Sequence, residues 1–170
     1  MRRISIFLAA LVVVSASAQA AVNALSLEAN RQYLADYAKQ SGVIVRPSGL
    51  MYKIIHNGFG KRPGPNDIVT VYYTGSLING VVFDGTEPNL PAQFKTGALI
   101  PGWTEALEMM REGDQWHIVI PANLAYGARG AGQGAIPPNQ TLVFDVTLVS
   151  VTTPKEQPKQ DEGSPGNGAD

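Results

Sequence analysis

Residues 67–83 read DIVTVYYTGSLINGVVF, and the alternation in this stretch decides the fold class. Val69, Val71 and Tyr73 fall on one side of an extended chain, because successive strand side chains point to opposite faces. Asn79-Gly80 follows, a pair that tolerates the positive φ of a two-residue hairpin turn, so Val81-Val82-Phe83 is expected to return antiparallel. The same pattern recurs outward in both directions. Leu50 to Ile55 reads as a strand closed by Asn57-Gly58-Phe59-Gly60 and Pro63-Gly64-Pro65. Gln115 to Ile120 sets Trp116, Ile118 and Ile120 on one face, and Thr141 to Val151 does the same for Leu142, Phe144, Val146 and Leu148. Between them, Trp103 to Met110 is an internal helix opened by Pro101-Gly102 and stopped near Gly113. About five short strands and one short helix predict an α+β fold, mainly β, with an antiparallel sheet wrapped against that helix.

A second helix precedes the sheet. Leu27, Tyr33, Leu34, Tyr37 and Ala38 recur at helical spacing between Leu25 and Gln40, with Ser26 as N-cap and Gly42 as the stop. Packing on the domain is the favoured role for so short a helix, and dimerisation the alternative, so a monomer is expected. Both ends of the chain read differently from this middle. Arg2 and Arg3, the apolar run Ile4 to Val14 and the small residues Ser15 to Ala20 make residues 1–20 a signal peptide, with Ala18-Gln19-Ala20 the favoured cleavage site and Ala16-Ser17-Ala18 its competitor. The 11-residue apolar run is too short for a permanent anchor, since spanning a bilayer takes about 20 residues. Residues 154–170 hold three Pro, three Gly and six charged side chains, with Ala169 the one apolar residue, and read as a disordered tail. Residues 21–44 then form the helix and a connector, and residues 45–153 the domain.

Composition narrows the chemistry. A chain of 170 residues with 44% hydrophobic side chains can bury a single core. A net charge of −1 gives no reason to expect nucleic acid or an anionic membrane surface as a partner. The absence of Cys from the sequence removes thiol nucleophiles, disulfides and thiolate metal sites, and no cofactor or metal is expected. His56 and His117, the two histidines, read as strand surface residues, and no Ser has nucleophile-elbow surroundings. The cluster Gly127-Ala128-Arg129-Gly130-Ala131-Gly132-Gln133-Gly134 lacks the order, the Lys and the following helix of a phosphate cradle, and reads as a flap over a site. What stands out instead is a set of aromatics beside turns: Tyr73, Phe83, Trp103, Tyr126 and Phe144. On spacing alone these read as core.

The motifs around them say more. Val71-Tyr72-Tyr73-Thr74-Gly75, Gly80-Val81-Val82-Phe83-Asp84, Leu99-Ile100-Pro101-Gly102-Trp103, Leu124-Ala125-Tyr126-Gly127 and Ile136-Pro137-Pro138-Asn139-Gln140-Thr141-Leu142-Val143-Phe144-Asp145-Val146 occur in order. Together they closely resemble the FKBP-type peptidyl-prolyl cis–trans isomerases across roughly residues 45 to 151, and Pro47-Ser48-Gly49-Leu50-Met51-Tyr52 is similar to the domain entry of exported, Mip-like bacterial members. The resemblance implies a curled antiparallel half-barrel around the short helix, with the site between them. By matching position, Trp103 would floor the proline ring, and Tyr73, Phe83, Phe144, Leu99 and Ile136 would wall it. Tyr126 and the Ile100 N–H would bond substrate carbonyls, and Asp84 would sit at the rim beside Tyr73. Ala92 stands where some members carry an aromatic wall residue, which would open one side, and the 85–93 segment lacks an Asp–Arg pair often found there. The implied partners are proline-containing exported proteins in a periplasm, together with macrolide inhibitors; the alternative is a non-catalytic chaperone or peptide-binding module using the same groove.

Overall fold

The structure is a computed structural model that describes residues 24–154, so the expected signal peptide lies outside the described residues, as does the expected tail beyond Pro154. Seven strands form one antiparallel sheet: β1 Val43–Val45, β2 Met51–His56, β3 Ile68–Leu77, β4 Val82–Gly85, β5 Ala92–Lys95, β6 Gln115–Ile120 and β7 Leu142–Thr152. Their order is β1-β2-β6-β7-β3-β4, with β5 also paired to β3. The last strand in sequence, β7, is therefore central, bonded to β6 on one side and to β3 over ten registered pairs on the other. A register shift between Thr70 and Val71 marks a bulge in that long pairing, the device by which sheets bend.

Helix α1 (Leu27–Tyr37) and helix α2 (Pro101–Met109) lie against opposite faces of this sheet. Strand β6 shows why. Trp116, Ile118 and Ile120 face the cluster that holds Trp103, Ala106 and Leu107 of α2, whereas Val119 joins Tyr37 of α1 in a second cluster with Met51 and Val143. The period of two along the strand thus sorts the residues between two cores. Helix α2 starts at Pro101, whose fixed φ suits a first helical turn, and packs closely because its second residue is glycine.

Helix α1 is capped as expected, with the Ser26 hydroxyl accepting the Ala29 N–H at 3.1 Å. It stops at Tyr37, and Gly42 acts beyond it, turning the chain at φ +79° into β1. Its docking relies on Asn30, which is buried. Asn30 Oδ1 accepts the Thr141 N–H at 2.7 Å, while its Nδ2 donates to Gln140 Oε1 at 3.1 Å and Ser26 O at 2.9 Å. Asn30→Ala leaves that Thr141 donor buried without an acceptor, and a loss of about 1–3 kcal/mol is expected in a urea unfolding series. A smaller loss would mean that apolar packing alone holds α1.

The sheet has two strands beyond the five expected. β1 and β5 span only three and four residues, too few to establish a period, and each takes its strand geometry from a longer neighbour, β2 and β3 respectively.

Candidate functional site

A cavity of about 450 Å³ opens between the N-terminal half of α2 and the curled sheet. Trp103 forms its base at 5% exposure, braced by three rings. Tyr73 and Phe144 each meet the indole edge-on at 5.3 Å with interplanar angles of 86°, and Phe94 meets it at 6.0 Å and 73°. Edge-to-face contacts set the positive ring edge against the negative face, so this cluster holds Trp103 in one orientation. Phe83 packs edge-on against Phe144 at 5.7 Å. Both rings fit because residue 75 is glycine: a Cβ there would lie 2.6 Å from Phe144 Cε1 and 2.9 Å from Phe83 Cζ.

Polar groups are few. The Tyr73 hydroxyl donates to Asp84 Oδ2 at 2.7 Å, and Asp84 Oδ1 accepts the Gly85 N–H at 2.9 Å, so the carboxylate is fixed from both sides at the rim. The Thr86 hydroxyl closes this rim by accepting the Tyr73 N–H at 3.1 Å, with the Thr86 N–H returning to Tyr73 O at 2.9 Å. Ile100 is the N-cap of α2, and among the described residues its N–H has no protein acceptor. Tyr126 stands over the opening at 41% exposure. The result is an apolar aromatic box with a carboxylate at its edge and donors at its mouth.

The family model described as FKBP-type peptidyl-prolyl cis-trans isomerase matches residues 60–149, the span that contains this whole cavity. The chain belongs to that family. A second model, for the domain amino terminal to FKBP-type isomerases, matches residues 3–54. The outer membrane protein MIP of Legionella longbeachae is 52% identical over 120 residues, which is 70% of this chain and 51% of that protein. The FKBP-type 22 kDa peptidyl-prolyl cis-trans isomerase of Escherichia coli is 47% identical over 121 residues, 71% of this chain and 58% of that protein. The chain therefore spans about half the length of the curated relatives it matches. A solved peptidyl-prolyl cis-trans isomerase from Pseudomonas syringae pv. tomato superposes with a TM-score of 0.70 at 35% identity, covering 83% of this chain and all of that one.

Within the FKBP-type domain, Tyr73, Phe83, Asp84, Leu99, Ile100, Trp103, Tyr126 and Phe144 are brought together around the cavity. Ile136 does not line it. That side chain is 6% exposed in the main core, and its backbone closes the glycine segment through paired bonds with Ala131 at 2.9 and 3.1 Å. Sequence reading missed Phe94 and Ala98, both of which line the cavity. The side expected to be open at Ala92 carries Phe94, two residues on and so on the same face of β5. His56 and His117 lie away from the cavity, the first with Nδ1 3.1 Å from Gly113 O and the second with Nδ1 2.7 Å from Asp145 Oδ1.

Burial, together with the bond to Asp84, holds the Tyr73 phenol well above the ordinary tyrosine range. Burial also raises Tyr33 and pushes Tyr37 up to about 12, the second aided by Tyr33 and Asp145. A tyrosine with a raised pKa keeps in the folded state a proton that the unfolded chain releases near pH 10. Its contribution to stability is therefore complete below about pH 10 and is lost as pH climbs from there towards the folded value. Ultraviolet titration of phenolate should show these three tyrosines ionising above the ordinary tyrosine range, with urea midpoints falling over the same window. Ionisation of all six in a single step near pH 10 would contradict it.

Proposed function

We propose that the protein is a peptidyl-prolyl cis–trans isomerase acting on proline-containing polypeptides, and that the aromatic cavity is its active site. The observation that carries this is the base of the cavity: a buried tryptophan held edge-on by three aromatic rings, of a size and polarity to take a proline ring. Rotation about a peptide bond faces a barrier of about 18–20 kcal/mol that arises from amide resonance. For X–Pro the two isomers lie within about 1 kcal/mol, so the barrier is the one quantity that needs lowering. No bond breaks, and the reaction asks for no nucleophile or proton donor.

The twisted amide has lost resonance and with it charge separation, so an aromatic, water-poor enclosure disfavours it less than water does. Catalysis is then tighter binding of the twisted amide than of either planar form. Trp103 supports the proline ring, and Tyr73, Phe83, Leu99 and Phe144 enclose it. The Ile100 N–H and the Tyr126 hydroxyl orient substrate carbonyls, and Asp84, fixed by Tyr73, sets the polarity of the rim. Macrolide inhibitors of the family fit the same reading as ligands of this cavity. The match to a relative named as an outer membrane protein and the residues 1–20 pattern support a periplasmic location after cleavage, and the docking of α1 on its own sheet supports a monomer. The non-catalytic alternative would expect lost pocket aromatics, and none of those expected is lost.

The test is the cis-to-trans rate of an Ala-Leu-Pro-Phe type peptide with the full chain beside Tyr126→Phe. Acceleration by the wild type, with kcat/KM about 3–10-fold lower in the variant, is the expected result, since one neutral hydrogen bond contributes about 0.5–1.5 kcal/mol. A folded wild type that leaves the rate unchanged would overturn the reading.

A further inference from the structure

A second concavity, of about 430 Å³, opens near the other end of α2. Trp103 and Met109 belong one to each cavity and stand six residues apart on α2, about 9 Å along its axis. We propose that this second concavity is an anchoring site for polypeptide segments in which an apolar side chain adjoins a carboxylate. Such a segment belongs to a substrate of the enzyme only if the protein is the isomerase proposed above, whereas the chemistry of this second concavity stands without that.

The lining has the composition of a recognition surface rather than of a solvent face. Phe59, Met109 and Trp116 supply the apolar part, and Arg62 and Arg111 the charge, all residue types that protein interfaces favour. Phe59 is 91% exposed, and this is not a consequence of a slack loop. Its neighbours are clamped: the Gly58 N–H donates to Asp114 Oδ1 at 2.6 Å, the Gly60 N–H to Glu112 O at 3.1 Å, and the Lys61 N–H to Glu112 Oε2 at 3.2 Å. A held backbone presenting a bare phenyl ring has already lost the freedom that binding would otherwise cost.

Charge points to the occupant. Among the described residues neither Arg62 nor Arg111 forms an ion pair, although Arg111 Nη1 reaches Gly60 O at 3.4 Å. Asp114, the one acid in the lining, is buried and already accepts from Gly58 N–H and from Arg111 N–H at 2.6 Å each, so it is committed within the loop. Two cations free of ion pairs among the described residues, beside an apolar wall, call for a carboxylate on an apolar segment.

The test titrates the full ¹⁵N-labelled chain with the proline-free peptide acetyl-Asp-Phe-Leu-Glu amide and, in parallel, with acetyl-Lys-Phe-Leu-Lys amide. The acidic peptide is expected to shift the Trp116 indole and Gly58 amide signals while leaving the Trp103 indole in place. Binding should weaken by about tenfold in Phe59→Ala and again in Arg62→Gln with Arg111→Gln, as for other central interface residues. Isomerisation of the short proline peptide should be unchanged in these variants, and a failure of that activity in the wild type would count against the isomerase reading alone. Shifts confined to Trp103, equal binding of the lysine peptide, or no shift at all would overturn the proposal. So would binding that emerges only after removal of residues 155–170, which would make the chain's own terminus the occupant. Concentration-dependent shifts without peptide would likewise overturn it in favour of a second copy.

Discussion

Trp103→Ala is expected to lower kcat/KM for prolyl isomerisation by roughly 10–100-fold. Burying an apolar group the size of a proline ring contributes about 1.5–3 kcal/mol, and the indole provides the surface on which that burial occurs. The same change should cost about 3–5 kcal/mol of stability, because Tyr73, Phe94 and Phe144 all lean on the ring that is removed. The two effects separate by measurement. Circular dichroism and a urea series locate conditions in which the variant is folded, and the rate is read there. Trp103→Leu fills more of the space and should recover much of the stability but little of the rate, since it lacks the flat surface. A folded Trp103→Ala protein that isomerises at the wild-type rate would move the active site elsewhere.

Gly102→Ala should damage both stability and activity although the residue does not line the cavity. A Cβ at this position would stand 2.4 Å from Ile120 Cγ2 and 3.1 Å from Cδ1, and Ile120 is fully buried in β6. Alanine is favoured over glycine in a helix interior by about 1 kcal/mol, less so at a helix start, whereas forcing a methyl into a packed core costs about 1–3 kcal/mol. The steric cost wins. Helix α2 must back away from the sheet, carrying Trp103 away from Tyr73 and Phe144. The expected readouts are a lower thermal midpoint, altered tryptophan fluorescence and reduced kcat/KM. An unchanged or raised midpoint would mean that Ile120 can rotate aside, and that the close approach of α2 to β6 does not matter.

Much of the fold could be read from local pattern. The alternation of Val69, Val71 and Tyr73 appears in β3, the two valines buried and Tyr73 half-buried at the cavity, and that of Leu142, Phe144, Val146 and Leu148 appears as the buried side of β7. Ser26 caps α1 and Pro101 opens α2 where their chemistry places them. These features lie within a few residues of their cause. The motif resemblance carried the site further, grouping Tyr73, Asp84, Trp103 and Tyr126 across more than fifty positions that periodicity alone could not join.

Other features had no local cause to read. β5 is four residues long and takes its register from β3, so the sequence could not show that Phe94 rather than Ala92 supplies the aromatic wall, although both lie on one face. Ile136 has the composition of a wall residue, yet the bridge to Ala131 turns it into the core. Alternation and turn chemistry by themselves determined that this protein would build an antiparallel sheet with helices against it, because those signals act between neighbours in the chain. Tertiary structure alone decided which rings meet over Trp103, and that Gly75 and Gly102 must be bare to let them meet. Whether an added methyl group fits depends on atoms brought from distant parts of the chain, which become neighbours only once the sheet has curled around α2.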